Sequence, residues 1–168
     1  MKQIKWTVLI AVLVALDQLS KWMSETYLPL ERPVEIIPFF DLFLTYNYGV
    51  AFSWLTFLGP YVLIALTLVI MVFIFWLWRN LEAGRRISEF GFAFVIGGAI
   101  GNLIDRIAEG RVVDMFLFHI EQWNFSFAVF NVADIYITVG AGLIILDEVL
   151  EWRKGRNSAG NTNIETHE

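Results

Sequence analysis

Long apolar runs, separated by short polar segments, are the dominant pattern along this chain. Residues 42–78 carry no Asp, Glu, Lys or Arg, and about 20 apolar residues are enough for a helix to cross a bilayer. The pattern predicts four transmembrane helices over about residues 4–23, 59–78, 87–106 and 129–152. We expect an integral membrane protein, mainly α-helical, with one domain over residues 1–154.

The segment between the first two predicted spans has a different period. Over residues 41–47 successive side chains alternate between two faces, with Leu42, Leu44 and Tyr46 on one of them, as in a half-buried β-strand. Aromatic residues favour the membrane interface. We therefore expect a small β-sheet over about residues 28–58 on the outer membrane surface. The second outer connection, residues 107–128, is expected to be an amphipathic short loop or helix.

The positions of Lys and Arg indicate the orientation. If the spans alternate, eight of the 12 basic residues fall on one side, and cytoplasmic loops carry the excess of Lys and Arg. Both termini are therefore expected in the cytoplasm and both long connections outside it. Lys2 and Lys5 precede an apolar run without a small-x-small cleavage site, so we interpret this run as an uncleaved first span. The polar segment 155–168 is expected to be a disordered cytoplasmic tail.

Polar residues of three predicted spans fall at similar depths in the bilayer. A helical rise of about 1.5 Å per residue, counted from the inner ends, places one set roughly 18–20 Å above the inner face. This lower set consists of Asp17, Asn102 and Asp134. A second set, roughly 24 Å above that face, consists of Lys21, Asp105 and Asn131. This layer predicts a polar site in the outer half of the membrane.

Each of these residues also has a purely structural explanation. Asp17 and Lys21, four residues apart, can form an internal ion pair, and Asp105 with Arg106 can be an interfacial pair at a span end. Asn102 can bond a neighbouring helix. Asp134 is the hardest to explain structurally, because an intramembrane carboxylate is costly and usually functional.

The glycines of the third span, Gly97, Gly98 and Gly101, have a spacing typical of close helix packing. His119 is interpreted as an interfacial residue and not as a ligand.

The composition excludes several other chemistries. There is no cysteine, so disulfides, thiol nucleophiles and Cys-based metal sites are excluded. With two histidines in the chain, an H-E-x-x-H zinc site is excluded too.

We expect no metal, no cofactor and no nucleic-acid partner. A Ser-Lys pair can be drawn from Lys21 and Ser24, but Asp17 explains Lys21 better. Two aspartates, Asp114 and Asp134, remain, and a pair of carboxyl groups can hydrolyse an amide when one is ionised and the other protonated. The residues alone leave two other classes open. One is a small proton-coupled transporter that uses Asp17, Asp105 and Asp134, and the other is a non-enzymatic assembly factor.

Five motifs in order make the chain resemble the bacterial lipoprotein signal peptidases, also called signal peptidase II. They are Asp17-Gln18-Leu19-Ser20-Lys21, Asn47-Tyr48-Gly49-Val50-Ala51-Phe52, residues 97–106 (GGAIGNLIDR), Gly110-Arg111-Val112-Val113-Asp114 and Phe130-Asn131-Val132-Ala133-Asp134. The resemblance covers the chain to about residue 152. Met115 stands where the family more often has Phe, and we expect only adjusted packing there.

The resemblance implies a membrane aspartyl endopeptidase of the bacterial inner membrane. It implies that Asp114 and Asp134 are the catalytic pair and that Arg106 holds backbone carbonyls of the substrate. It further implies that a set of polar residues and one glycine support the site: Asn47, Gly98, Asn102, Asn131, Asp17, Lys21 and Asp105. The implied substrates are prolipoproteins with diacylglycerol on a cysteine, cut just before that cysteine. We expect the protein to act as a monomer among membrane lipids.

Overall fold

The computed structural model describes residues 2–49, 59–123 and 125–165. In these ranges the chain forms four α-helices: α1 (Lys2–Tyr27), α2 (Gly59–Arg79), α3 (Arg86–Glu109) and α4 (Val132–Glu165). Three stretches are long and apolar enough to cross a membrane: Ile4–Tyr27, Tyr61–Arg79 and Arg86–Glu109. The chain is therefore mainly helical with at least three candidate spans. α4 is long enough as well, but Asp134, Asp147 and Glu148 interrupt its apolar sequence.

Helix α3 lies at the centre of the bundle, in contact with the other three helices. Its closest approach is to α4, because glycines remove side chains from the interface. A Cβ added at Gly91 would lie 2.7 Å from the carbonyl oxygen of Gly140, and a Cβ at Gly98 would collide with the carbonyl oxygen of Ala133. The glycines predicted to allow close packing have that role in the structure.

An antiparallel sheet covers one end of the bundle. Within the described residues its strands are β1 (Val34–Ile37), β2 (Phe40–Asn47), β3 (Val112–Ile120) and β4 (Phe125–Ser126), in the spatial order β1-β2-β3-β4. The strand predicted over residues 41–47 is confirmed. Residues 50–58 of the predicted sheet region, including part of the Asn47–Phe52 motif, lie outside the described residues.

The prediction of a short loop or helix over residues 107–128 is right only for the short 3-10 helix Glu121–Trp123, because most of the segment is strand. Strand β3 occupies most of this segment and pairs with β2 from Phe40↔Phe118 to Asn47↔Val112. The alternation that marks a half-buried strand is missing because the first four residues of β3 are all buried. Leu44, Val113 and Met115 form the core of the sheet. Asp114 is consequently held on a paired strand and not on a loop.

The C-terminal segment also differs from the expectation. The sequence predicts a disordered tail from residue 155, whereas α4 continues to Glu165. Extending an existing helix costs far less than starting one, because each added residue closes one more hydrogen bond. Near this end, Lys154 and Glu151 form an ion pair of 2.7 Å.

Candidate active site

A cleft of about 590 Å³ opens between the sheet, the C-terminal end of α3 and the N-terminal end of α4. Its lining combines polar groups with an aromatic wall from the segment that precedes α4. The lining residues are Asn47, Gly49, Arg106, Phe125, Ser126, Phe127, Ala128, Val129, Phe130 and Asp134. One predicted catalytic residue, Asp134, therefore faces this space directly.

The start of α4 positions Asp134. Asn131 directly precedes the first helical residue, and its Oδ1 accepts a hydrogen bond of 3.0 Å from the backbone N–H of Asp134. In return, Oδ2 of Asp134 accepts a bond of 3.2 Å from the backbone N–H of Asn131. This reciprocal arrangement is a capping box, which satisfies backbone donors that a helix start otherwise leaves unpaired. The same local sequence thus begins the helix and fixes the carboxyl group.

Asp114 is positioned by β3 and lies 2% exposed beneath the sheet. Its Oδ1 accepts a bond of 2.7 Å from the side-chain amide of Asn131, and its Oδ2 accepts one of 3.1 Å from Asn47. Burial raises the pKa of Asp114 to about 6, an increase that the neighbouring charge of Asp134 reinforces and the two amide donors oppose. A carboxyl group with such a pKa can hold or release a proton near neutral pH.

Asn131 joins the two carboxyl groups. Its side chain donates to Asp114 and accepts from the backbone of Asp134. The backbone of the preceding residue, Phe130, pairs with Phe116 of β3 through bonds of 2.9 and 3.0 Å. These bonds tie the start of α4 to the strand that carries Asp114. The structure therefore places both predicted catalytic residues around a single asparagine.

A second amide connects Asp134 to buried charges. Asn102 on α3 donates a bond of 2.9 Å to Oδ1 of Asp134, and its own oxygen accepts from Asn131 at 3.1 Å and from Lys21 at 3.0 Å. Lys21 also pairs with Asp17 at 2.8 Å and with Asp105 at 2.7 Å. We call Asp17, Lys21 and Asp105 the charge cluster.

The charge cluster lies on α1 and α3 and holds the start of α4 and strand β3 in place around the site. Asp17 accepts a bond of 2.9 Å from the backbone N–H of Ala133, the residue before Asp134. Asp105 accepts one of 3.3 Å from Val113, the residue before Asp114. The predicted layer of polar residues from three helices is thus confirmed as a set of direct contacts. The cluster fixes both catalytic candidates through their chain neighbours.

Two glycines of α3 allow the close packing that these contacts require. A side chain at Gly98 would meet the backbone of Ala133, and one at Gly101 would meet the carboxyl group of Asp17. Gly98 thus allows α3 and α4 to approach each other closely next to Asp134.

Gln18 lies among the same groups, and no role was predicted for it from the sequence. Its amide donates to Asp105 at 2.8 Å and to the carbonyl oxygen of Gly101 at 3.2 Å.

Arg106 lines the cleft, and the carboxylates that act on its charge most strongly are Asp134 and Asp114. Its Nη1 donates a bond of 3.4 Å to the carbonyl oxygen of Asn102. The suggested interfacial pair between Asp105 and Arg106 is replaced by the pair between Asp105 and Lys21. The guanidinium group is therefore directed to the cleft, where its donors can meet carbonyl or carboxylate oxygens.

His119 lies apart from this site. Its Nε2 is 3.2 Å from Oδ2 of Asp41, across strands β3 and β2. Asp41 is 7% exposed, and the contact could not be predicted from the sequence, because the two residues are far apart along the chain. The pair belongs to the sheet and provides a buried aspartate outside the cleft.

The arrangement is suited to proton transfer. Asp114 accepts hydrogen bonds from two side-chain amides, and Asp134 accepts from one side-chain amide and one backbone N–H, so neutral donors orient both carboxyl groups. An open cleft reaches Asp134, and a cationic side chain lies on its wall. Two such groups can act as general base and general acid on a peptide bond placed in the cleft.

Comparisons with known proteins identify the family of the chain. The family model described as "Signal peptidase (SPase) II" matches residues 9–150. A lipoprotein signal peptidase of Sinorhizobium fredii (strain NBRC 101917 / NGR234) is 47% identical over 148 residues, which cover 87% of this chain and 88% of the relative. One of Brucella ovis (strain ATCC 25840 / 63/290 / NCTC 10512) is 48% identical over 155 residues, covering 91% and 96%.

Two solved structures resemble the fold. Both are titled as bacterial membrane enzyme structures obtained by the in meso method, one at 2.3 Å and one at 1.9 Å resolution. The first has a TM-score of 0.75 and 25% identity, and the match covers 88% of each chain. The second has a TM-score of 0.70 and 25% identity, covering 84% of this chain and 90% of the other.

Proposed function

The chain belongs to the signal peptidase II family and is an integral membrane protease, and we propose that it removes signal peptides from prolipoproteins that carry diacylglycerol on a cysteine. The cut falls on the amino side of that cysteine. The observation that carries the catalytic assignment is Asn131, whose hydrogen bonds engage Asp114 and Asp134 together.

In the proposed mechanism the two carboxyl groups share the work of general base and general acid. Asp134, which lines the cleft, takes a proton from a water molecule as the water oxygen attacks the scissile carbonyl carbon. Asp114, whose raised pKa favours the protonated form, gives its proton to the carbonyl oxygen. The tetrahedral intermediate then collapses and the C–N bond breaks. The cysteine nitrogen receives the proton held by Asp134, and Asp114 recovers its own from the gem-diol oxygen.

Arg106 is proposed to bind backbone carbonyl oxygens of the substrate in the cleft, since a guanidinium group presents several donors in one plane. Asn47, Asn102 and Asn131 orient the two carboxyl groups. The charge cluster and Gly98 act indirectly, through the backbone next to those carboxyl groups and the separation of α3 from α4. In this assignment, replacement of the charge cluster changes the geometry of catalysis and not its chemistry.

The proposed setting is the bacterial inner membrane, with α4 as a fourth span and both termini in the cytoplasm. The distribution of Lys and Arg supports this orientation. The sheet and the cleft then lie at the periplasmic surface, where a substrate can arrive laterally from the bilayer. We propose that the chain acts as a monomer.

The transporter and the assembly factor make different demands on these residues. A proton relay through the spans needs Asp17, Asp105 and Asp134 but has no use for Asp114 on the sheet. An assembly factor needs a binding surface and tolerates replacement of either carboxyl group. The hydrogen bonds from Asn47 and Asn131 to Asp114 favour the protease, because they give this buried carboxyl group the same kind of support as Asp134.

Cleavage of a diacylglyceryl-modified precursor, followed as a mobility shift on a gel, tests the proposal. Asp114→Asn keeps the size of the side chain, so the protein should fold while turnover falls by at least about 10³-fold. Asp41→Asn is the matched control, since Asp41 is also buried in the sheet but lies outside the cleft. It should cleave like the wild type. Cleavage by Asp114→Asn at the wild-type rate would refute the assignment.

A further inference from the structure

Arg111, the residue before strand β3, joins the ends of α1 and α3 to strand β2. Its Nε donates a bond of 2.8 Å to Oε2 of Glu109, the last residue of α3, and its Nη2 is 2.7 Å from the same oxygen. Nη2 is also 3.8 Å from Oε1 of Glu25 in the last turn of α1. The guanidinium carbon lies 3.4 Å from the centre of the Tyr46 ring on β2, which is a close cation–π contact. We call it the Arg–Tyr contact.

The Arg–Tyr contact lies on the opposite face of the sheet from the hydrogen bond between Asn47 and Asp114. Successive side chains of a strand point to opposite faces. Tyr46 pairs with Val113, so Arg111, two residues before Val113, is diagonally opposite Tyr46 on the same face. Asn47 and Asp114, the next residues along the two strands, share the other face, where they form the bond of 3.1 Å. The two contacts therefore hold the same short stretch of β2 and β3.

A shift in the strand pairing makes this stretch depend on its own contacts. The register of β2 against β3 changes between Leu42 and Thr45, and three pairs follow it, over residues 45–47. An irregularity of this kind disrupts the ladder locally and lets the strand bend. The pairing before the shift therefore does not fix the position of Asn47, whereas the Arg–Tyr contact holds the residue directly before it.

We propose that Arg111 is a positioning residue, which holds Tyr46 from the opposite face of the sheet and thereby keeps the Asn47 amide on Asp114. This inference rests on the proposed function, in which Asp114 is one of the two catalytic groups. Arg111 is not among the described residues that line the cleft, so it acts on the reaction through β2. Glu109 holds the guanidinium group in place over the ring.

Displacement of the Asn47 amide has a defined consequence for Asp114. The amide stabilises the ionised carboxylate and lowers its pKa, so its loss raises the pKa. The charged groups that act on Asp114 or respond to its charge, Asp134, Lys21 and Arg106, lie on the helices and not on β2. In the proposed mechanism Asp114 donates a proton. The alkaline limb of the pH–rate profile should therefore move to higher pH while the maximal rate falls.

Two substitutions break the Arg–Tyr contact from opposite sides. Arg111→Met keeps much of the length of the side chain and removes its charge, and Tyr46→Leu removes the ring and keeps the arginine. We expect each variant to lower kcat about tenfold and to change KM less than about twofold, because the cleft is not altered. The alkaline limb should move upward by at least about half a pH unit.

A conservative variant and a matched control accompany them. Tyr46→Phe keeps the ring and should recover most of the rate that Tyr46→Leu loses. Phe40→Leu is the control, because Phe40 stacks on Phe116 across the same two strands, with 5.7 Å between ring centroids, before the register shift. It should leave the rate and the pH profile unchanged. An unchanged profile in folded Arg111→Met and Tyr46→Leu would overturn the proposal.

A double-mutant cycle distinguishes positioning from a general effect on the fold. If Arg111 acts through Asn47, Arg111→Met should lower kcat about tenfold in the wild-type background but less than about twofold in the Asn47→Ala background. The same tenfold loss in both backgrounds would overturn the positioning role, because Arg111 would then act by another route.

An infrared titration separates this inference from the proposed function, because it needs no substrate. The difference between the wild type and Asp114→Asn identifies the carboxyl band of Asp114, whose midpoint is followed with pH. The midpoint should be higher in Arg111→Met than in the wild type and unchanged in Phe40→Leu. If the wild type does not cleave the lipidated precursor but the midpoint moves, the proposed function fails and the Arg–Tyr contact keeps its role. If cleavage is normal and the midpoint does not move, the positioning role alone is wrong.

Discussion

Two aspartates of α4, one near each end of its contact with α3, differ in the kind of partner they have. Asp147 accepts bonds of 2.8 Å from the Arg85 guanidinium group and 2.5 Å from the hydroxyl of Ser88. Asp134 accepts bonds from the amide of Asn102 and from the backbone N–H of Asn131. The first aspartate is held by a cation and the second by neutral donors.

This difference separates a structural carboxylate from a reactive one. An adjacent cation stabilises the ionised form, so protonating Asp147 would break an ion pair in a buried setting. Neutral donors orient a carboxyl group while leaving its protonation state open to change. Burial alone therefore does not identify a catalytic aspartate at a helix interface, and the partners have to be compared. We call Arg85, Ser88 and Asp147 the Arg85 cluster.

The largest expected change in stability comes from the Arg85 cluster. Asp147→Asn leaves the Arg85 guanidinium group with only the exposed Glu148 at 2.9 Å and should lower the free energy of unfolding by about 3 kcal/mol, the lower end of the range for a broken buried pair. Thermal unfolding in detergent micelles, followed by tryptophan fluorescence, measures it. Cleavage per folded molecule should stay within about threefold of wild type. A folded but inactive Asp147→Asn variant would show that Asp147 is needed for cleavage too, which contradicts the distinction between the two aspartates.

The next effect concerns the residue that joins the two carboxyl groups. Asn131→Ala removes an oriented donor to Asp114 and the cap of α4, so kcat/KM should fall about 10²-fold and stability by about 1 kcal/mol. Steady-state cleavage kinetics provide the measurement. Ser88→Ala is the counterpart in the Arg85 cluster and should reduce stability while kcat/KM remains at the wild-type value. Equal kcat/KM values for the two variants would show that Asn131 does not contribute to catalysis.

The remaining effect is a pH dependence of stability. The pKa of Asp114 is about 6 in the folded protein against 3.8 for an ordinary aspartate, so the folded state binds a proton more tightly than the unfolded chain does. This contribution stabilises the fold below pH 4 and is lost as pH rises through about 6. Asp114→Asn has no such loss. Its Tm relative to wild type should therefore increase by a few degrees between pH 4 and pH 7.

The Tm difference between Asp114→Asn and the wild type, measured at closely spaced pH values, distinguishes this cause from a general effect of the substitution. A constant difference across the range would show that Asp114 has an ordinary pKa in the folded state. Asp41→Asn, another substitution in the sheet, is the control for effects of pH on the sheet as a whole.

Much of the architecture could be predicted from local sequence. The apolar runs located α1, α2 and α3 to within a few residues, and alternation located β2. β3 was missed because Val112–Met115 is buried on both faces, which leaves no alternation to detect. The course of α4 beyond residue 155 was also missed, since polar composition does not reveal the extension of a helix that has already formed.

The candidate site could be predicted only in part, because its contacts join residues that are far apart in the sequence. Depth along the helices brought Asp17, Asn102 and Asp134 into one layer, and the contacts confirm that grouping. The network itself depends on pairs far apart in sequence, such as Lys21 with Asp105. The packing of α1, α3 and the sheet determines which carboxylate oxygen accepts a hydrogen bond from which donor. The catalytic roles of these residues stay predictions until activity is measured.

The most direct test of the central claim compares Asp134→Asn with Asp147→Asn in the precursor cleavage assay, at equal concentrations of folded enzyme. Both substitutions replace a carboxyl group by an amide on the same helix. If neutral support identifies the reactive aspartate, Asp134→Asn should lose at least about 10³-fold in turnover, with Tm near that of the wild type. Asp147→Asn should cleave normally despite its lower Tm. The opposite pattern, or cleavage by Asp134→Asn within tenfold of the wild-type rate, would contradict the account.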